Sequence, residues 1–405
     1  MSHSVTIRRP ERPIHARVAL PPSKSVANRA LILAALAGDL SCVKGFGTSD
    51  DTRILHELLR DQPAEMHCGD GGTTLRFLLA WACVQEGKEH LITGNPRLLE
   101  RPHTPLVNAL RELGADITEE VHGLRVRGSR MRGGQIRIHS PESSQFISAL
   151  LLVAPCFTDG LELQWTGLRL SEPYVRMTLE LLRKFGAHAS DSGEVLHVAN
   201  GPLKSTEMQV PPDWSASAFW FEVAALASGS KLVLKGLSYA SMQGDAAVLS
   251  LFMPYTYYAL LDEKLMLRGR SDGEFATYHA DLKDTPDLFQ PLAFTLAGLG
   301  RKAEFTGLHN LPLKETDRLQ AVAEALNVLG CSAEYDGGTF KLHGGITNLA
   351  PAPFDPQGDH RMAMSLAPLA LICKEITILH PEVVNKSYPG FWEEMKHAGF
   401  SVEFS

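Results

Sequence analysis

Lys314-Glu315-Thr316-Asp317-Arg318 sets a cation and a carboxylate side by side, one turn from a guanidinium, which is an acid/base pair beside an anion clamp. Three other stretches share its character: Pro22-Ser23-Lys24-Ser25 leading to Arg29, Gly69-Asp70-Gly71-Gly72-Thr73 leading to Arg76, and Asp359-His360-Arg361. Each stands where a helix should begin. Free N–H groups at the positive end of a helix dipole, joined by a forked guanidinium, make a cradle for phosphate or carboxylate. Asn385-Lys386-Ser387 adds another cation at a helix mouth, and the segment 96–102 aims Arg101 from stiff extended chain between Pro96 and Pro102.

Taken singly, each signal has a plainer reading. Ser23 or Ser25 caps an apolar helix over 26–36, with Ser25 and Arg29 on one face and Lys24 as a point charge at its mouth. Gly71-Gly72 lets backbone approach a ligand without a Cβ in the way, yet such a pair also serves as a loop. Ser143-Ser144-Gln145 and Ser171-Glu172-Pro173-Tyr174 open two further helices, and Asp213 and Asp287 each put a carboxylate at the start of an apolar helix; capping explains all four. Arg101 could equally form a surface salt bridge. It is the joint occurrence of so many anion-binding helix starts that points to phosphorylated or carboxylated ligands.

The elements that must position these residues repeat. A helix ending on Gly, then strand, tight turn and strand closing on Gly, is read at 112–128, 184–201 and 328–344, with the helix-ending glycines at Gly114, Gly186 and Gly330. A degraded copy at 252–269 has Pro254 near the Gly position, and a truncated copy, 397–404, closes the sequence. The first unit is short: a helix over 51–60 runs into 61–68 without the hairpin ending. Six units of βαβαββ type predict an α/β (α+β) protein of two similar domains, each built from about three units. The Pro pairs at 21–22 and 211–212 divide the chain into 22–211 and 1–21 with 212–405.

The 405 residues carry 39 Lys+Arg against 46 Asp+Glu, a net charge of −7, so no global field draws in nucleic acid or anionic membrane. Anion affinity must come from local clustering of cations. Six separated cysteines without a C-x-x-C pair fit reduced thiols, and no run approaches the roughly 18 apolar residues of a membrane helix, so a cytoplasmic location is expected.

The strings Ser23-Lys-Ser-Val-Ala-Asn-Arg-Ala, Gly72-Thr-Thr-Leu-Arg, Leu99-Glu-Arg-Pro, Ser143-Ser-Gln-Phe, Ser241-Met-Gln-Gly-Asp, Lys314-Glu-Thr-Asp-Arg and Asp359-His-Arg-Met-Ala-Met occur in the order seen in 5-enolpyruvylshikimate-3-phosphate synthases. The chain resembles this branch of the enolpyruvyl transferase family over nearly its whole length. The resemblance implies a fold like an inverse α/β barrel in each domain, an active site in the interdomain cleft, and an open form that closes on ligand. It implies transfer of the enolpyruvyl group of phosphoenolpyruvate to the 5-hydroxyl of shikimate 3-phosphate with release of phosphate, by a monomer needing neither metal nor organic cofactor.

By the same resemblance, shikimate 3-phosphate is held by Lys24, Ser25, Arg29, Ser143, Ser144, Gln145, Ser171, Tyr174, Asp287, Asn310 and Lys314. Phosphoenolpyruvate meets Lys24, Gly72, Arg101, Gln145, Arg318, Arg361 and Lys386. Lys24, Asp287 and Glu315 carry the catalysis. Gly72 implies inhibition by glyphosate, while Asp70 and Phe77 depart from the family's usual residues. A sister enzyme acting on UDP-N-acetylglucosamine usually carries a reactive Cys where this chain has 97–102 and no Cys. RNA 3′-phosphate cyclases would want a basic face, and a non-catalytic anion-binding paralogue would have lost Lys24, Asp287 or Glu315, all present here.

Overall fold

The computed structural model describes residues 3–270 and 277–405. The chain forms two compact units, 22–210 and 1–21 with 211–405.

The helices of the unit 22–210 are α1 (Lys24–Leu36), α2 (Asp50–Asp61), α3 (Gly72–Cys83), α4 (Pro96–Glu100), α5 (Thr104–Glu112), α6 (Ser144–Val153) and α7 (Glu172–Lys184). Glu65–His67, Glu89–Thr93, Gly123–Arg127 and Asp116–Glu120 lie side by side in that order, the first pair parallel and the rest antiparallel. Gly134–His139, Leu161–Thr166, Val195–Val198 and Ala189–Asp191 repeat the order and the directions. In both copies one helix links the parallel strands and a second leads into the hairpin, a βαβαββ unit. After α2 the chain enters Glu65–His67 directly, so the first copy lacks its hairpin, as the sequence predicts. Its single strand Val43–Lys44 pairs in parallel with Met208–Gln209 from the far end of the same unit.

The other unit carries α8 (Trp214–Leu226), α9 (Val248–Leu251), α10 (Phe289–Gly298), α11 (Arg318–Val328), α12 (His360–Leu366) and α13 (Phe391–His397). Tyr278–Asp281, Ala303–Thr306, Thr339–Leu342 and Ala333–Asp336 form the same sheet again. In the preceding copy the first strand is His15–Val18, brought from the start of the chain to pair in parallel with Lys231–Lys235. In the last, Ser4–Arg8 lies antiparallel between Ile376–Leu379 and Ser401–Phe404, where an inner hairpin strand would be. The truncated final repeat is thus completed by the first residues.

The helix-ending glycines have a common geometry. At Gly114, with φ 107°, its N–H donates to Arg111 O at 3.0 Å and Ala115 N–H donates to Leu110 O at 2.9 Å. Gly186 and Gly330 repeat both bonds, and positive φ is what a residue with a Cβ would resist.

Several helices are apolar on every side and correspondingly buried. In α8 every residue from Trp214 to Ala225 is buried, and α12 is buried throughout. In α3 and α6 all but one residue of each is buried. Such helices can meet ligand only at their ends, which is where the motif residues stand.

Candidate active site

In the unit 22–210 the two guanidiniums Arg29 and Arg76 are held by neutral partners, while Lys24 pairs with a carboxylate. Helix α1 begins at Lys24, two residues earlier than the sequence suggests, and Ser23 at the cap position makes no capping bond. Ser25 therefore lies inside the first turn, its carbonyl accepting from Arg29 Nη1 at 2.9 Å. Arg29 is 2% exposed; Nε donates to Thr178 Oγ1 at 2.7 Å and Nη2 to Ser148 Oγ at 3.2 Å. Its guanidinium also lies 5.2 Å from the Phe77 ring centroid and 5.9 Å from that of Tyr174. Burial pushes the Arg29 pKa down to about 10, with Tyr174 opposing.

Arg76, equally buried, donates to Gln145 Oε1 at 2.6 Å and to Pro102 O at 3.2 Å, and Gln145 Nε2 reaches Thr73 Oγ1 at 3.0 Å. The amide of Gln145 is thereby oriented, and the chain carrying Arg101 is tied to α3. Segment 96–100 is the short helix α4, not extended chain, with Arg101 itself extended at its end (φ −69°, ψ 153°). Its guanidinium lies flat on Gly72: a Cβ built there would stand 2.7 Å from Nη1 and 3.1 Å from Cζ. Behind it, His103 is buried beside two guanidiniums; burial first, then Arg76 and Arg101, push its pKa down to about 4.

Ser143 caps α6, accepting from Gln145 N–H at 3.3 Å, and Ser144 beside it is 6% exposed. Ser171 occupies the cap position of α7 in the left-handed region (φ 58°), without a capping bond. That conformation is uncommon for a residue with a Cβ and sets Ser171 at the N-terminus that also carries Tyr174.

In the other unit the cations are paired with carboxylates. Arg318, 2% exposed, is the first residue of α11, which Asp317 caps; Lys314 and Glu315 stand just before it in the loop. Its guanidinium donates to Asp359 Oδ2 at 2.6 Å, Asp287 Oδ1 at 2.8 Å and Glu315 Oε2 at 3.1 Å. Asp287 Oδ2 accepts from Arg361 Nη2 at 2.8 Å, and Glu315 Oε1 lies 3.3 Å from Lys386 Nζ. Asp287 does not cap an apolar helix as the sequence suggests; it sits in the short turn Pro286–Leu288 ahead of α10. Lys386 lies in the last turn of Pro381–Lys386, not at a helix start. Asn310, buried, occupies the cap position of the turn Leu311–Leu313.

The electrostatics follow from this crowding. Burial alone would raise the Asp287 pKa, but Arg361, Lys314 and Arg318 outweigh it and hold the carboxyl well below the usual range. Arg318 is held above its ordinary value, because Asp359, Glu315 and Asp287 outweigh burial. Asp245, fully buried and bonded by the Ser215 hydroxyl, is pushed up to about 7 by burial and then by the charge of Asp287.

The sequence reading missed several residues. Asp51 pairs with Lys24 at 2.9 Å, and Ser148 and Thr178 hold Arg29. None bears a local signal: Asp51 looks like any acidic residue in a first helical turn, and the two hydroxyls sit within apolar helices.

Comparison with known proteins bears on the family and the fold. The family model described as EPSP synthase (3-phosphoshikimate 1-carboxyvinyltransferase) matches residues 8–66 and 55–395. A 3-phosphoshikimate 1-carboxyvinyltransferase of Bacteroides fragilis (strain YCH46) is 36% identical over 404 residues, covering 96% of this chain and 97% of that protein. One from Methanospirillum hungatei JF-1 is 32% identical over 422 residues, covering 95% and 96%. Among solved structures, EPSP synthase of Acinetobacter baumannii superposes with a TM-score of 0.76 at 22% identity, covering 99% of this chain and all of that one. The enolpyruvyl transferase NikO of Streptomyces tendae gives 0.75 at 14% identity, covering 100% and 99%. With a model match over nearly the whole length and relatives above 30% identity, the chain belongs to the EPSP synthase family.

Proposed function

We propose that the cations of 22–210 and the ion cluster around Asp287 serve one reaction, the transfer of the enolpyruvyl group of phosphoenolpyruvate to the 5-hydroxyl of shikimate 3-phosphate. Inorganic phosphate leaves. The reaction belongs to aromatic amino acid biosynthesis by the shikimate route.

Shikimate 3-phosphate draws on Ser25, Arg29, Ser143, Ser144, Ser171 and Tyr174 from one unit and on Asp287, Asn310 and Lys314 from the other. Phosphoenolpyruvate draws on Gly72 and Arg101 from the first unit and on Arg318, Arg361 and Lys386 from the second. Lys24 and Gln145 serve both.

In the addition step the 5-hydroxyl attacks C2 of phosphoenolpyruvate, its proton passes to Asp287, and C3 gains a proton from the Glu315–Lys386 pair. The tetrahedral ketal phosphate then expels phosphate, and Glu315 takes a proton back from C3. Asp287 begins as a poor base because two guanidiniums sit on its oxygens. A substrate anion that draws Arg361 toward itself would leave that carboxylate stronger at the moment it is needed. Lys24 neutralises the departing phosphate, and the arginines stabilise the charge of the intermediate.

The observation that carries the assignment is the placing of Asp287 and Glu315 on the same buried Arg318, each with a second cation of its own. Phosphate release should require both substrates together and should be lost in Glu315→Gln; release from phosphoenolpyruvate alone would reject the reading. Because Gly72 is retained, glyphosate should inhibit. A flat inhibition curve would point to Asp70 or Phe77 as the cause.

A further inference from the structure

We propose that Asp51 is a positioning residue for Lys24, and that through it the first turns of α1 and α3 are set as one phosphate cradle. The inference rests on the assignment of Lys24 to the substrate phosphates.

Lys24 is the first residue of α1, so its ammonium stands at the positive end of that helix dipole, where a cation is disfavoured. A lysine on a flexible four-carbon stem would otherwise swing into solvent. Asp51 lies in the first turn of α2, where the dipole favours an anion, and its Oδ2 is 2.9 Å from Lys24 Nζ. The carboxylate side chain is only 5% exposed and that of Lys24 16%, so neither is a freely solvated surface charge.

Asp51 is held in place from two sides. Its backbone carbonyl accepts from Thr74 Oγ1 at 2.9 Å, two residues beyond Gly72 in the first turn of α3. The adjoining Thr52 donates to Asn28 Oδ1 at 3.0 Å, one turn along α1 from Lys24, and accepts from Ser49 Oγ at 3.1 Å. Thr52, Thr74 and Asn28 are fully buried. A residue whose backbone is tied to α3, and whose neighbour is tied to α1, holds its carboxylate against Lys24 and so fixes where a phosphate oxygen meets the ammonium. An incoming phosphate then finds a placed cation instead of having to order one.

The test compares Asp51→Asn and Asp51→Glu with the unaltered protein in steady-state phosphate release, beside thermal melts. Asp51→Asn should lower kcat/KM for phosphoenolpyruvate about 10- to 100-fold, most of it in KM, with Asp51→Glu recovering part. In a Lys24→Met background the same change should cost less than about 2-fold, because the two residues act as a pair. Thr74→Val, which loosens Asp51 without touching either charge, should move the same parameter in the same direction by a smaller factor. That variant also decides the matter if Asp51→Asn fails to fold. Equal losses with and without Lys24, or variants that match the unaltered protein, would overturn the inference while leaving the assigned reaction intact. Absence of any turnover in the unaltered protein would remove the reaction and this inference with it.

Discussion

Arg29 and Arg318 are both 2% exposed, yet the two units bury them in opposite ways. Around Arg29 stand two hydroxyls, a backbone carbonyl and two aromatic rings; around Arg318 stand three carboxylates. A buried cation among neutral groups is short of a counter-charge and is stabilised when an anion arrives. One already shared among carboxylates offers an incoming anion less net charge, but it fixes its carboxylates as ionised groups that can exchange protons. The first arrangement suits binding and the second suits chemistry.

The sharpest way to break this contrast is Glu315→Gln. Removing a group that moves a proton should cost about 10²- to 10⁴-fold in kcat with little change in KM, measured by phosphate release. A variant whose KM moves and whose kcat does not would assign Glu315 to binding instead.

Next comes stability. Arg318→Met leaves Asp287, Glu315 and Asp359 crowded without their common cation and should destabilise the unit by about 3–5 kcal/mol in denaturant unfolding. Arg29→Met leaves Thr178 still bonded to Ser148 at 3.1 Å and to Tyr174 O at 3.0 Å, so the ligand-free melting temperature should change little or rise. The rise in melting temperature on adding shikimate 3-phosphate should vanish in that variant. Comparable losses of stability from both substitutions would erase the distinction.

Gly72→Ala should act through Arg101. The flexible guanidinium can move away from a methyl group, so folding should suffer little, while KM for phosphoenolpyruvate rises about 10-fold. An unchanged KM would mean that Arg101 binds from another position.

A further prediction concerns pH. Asp245 faces Asp287, Arg361, Asp213 and the Ser215 hydroxyl, and its folded pKa of about 7 lies above the ordinary carboxylate range. The folded state therefore prefers the protonated acid, and its stability falls as pH rises from about 4 to about 7, then levels off. Asp245→Asn should melt higher than the unaltered protein above pH 7, with the gap closing as pH falls toward 4. A gap independent of pH would show that Asp245 is not the titrating group.

Much of this was legible because its signals are local. A Gly after an apolar helix, Gly-Gly before a buried one, and Lys-Glu three residues from Arg each announce a conformation or a charge cluster within one turn. What stayed illegible was pairing at a distance. Lys24 reads as a free point charge because Asp51 is 27 residues away, and Asp287 reads as a helix cap because Arg318 and Arg361 reach it from other elements. The segment 96–102 was misread for a related reason: prolines at both ends suggest extended chain, yet Pro96 at the first position of α4 is compatible with a helix. The fold was easier than the site because repetition supplies several copies of each signal, whereas each ion pair occurs once.

The strand Ser4–Arg8 closes the last sheet between partners at 376–379 and 401–404, so a ribosome must add well over 300 residues before it can pair. At about 5–20 residues per second that wait is on the order of 20–80 s. During it the alternating Val5 and Ile7, both fully buried in the finished protein, are exposed on an unpaired strand. The unit 22–210 can complete its own sheets while synthesis continues, since all their strands lie within it. Birth order and assembly order therefore run in opposite directions at this end of the molecule. A segment made early is among the last to find its place, and chaperone dependence in the cell should concentrate there.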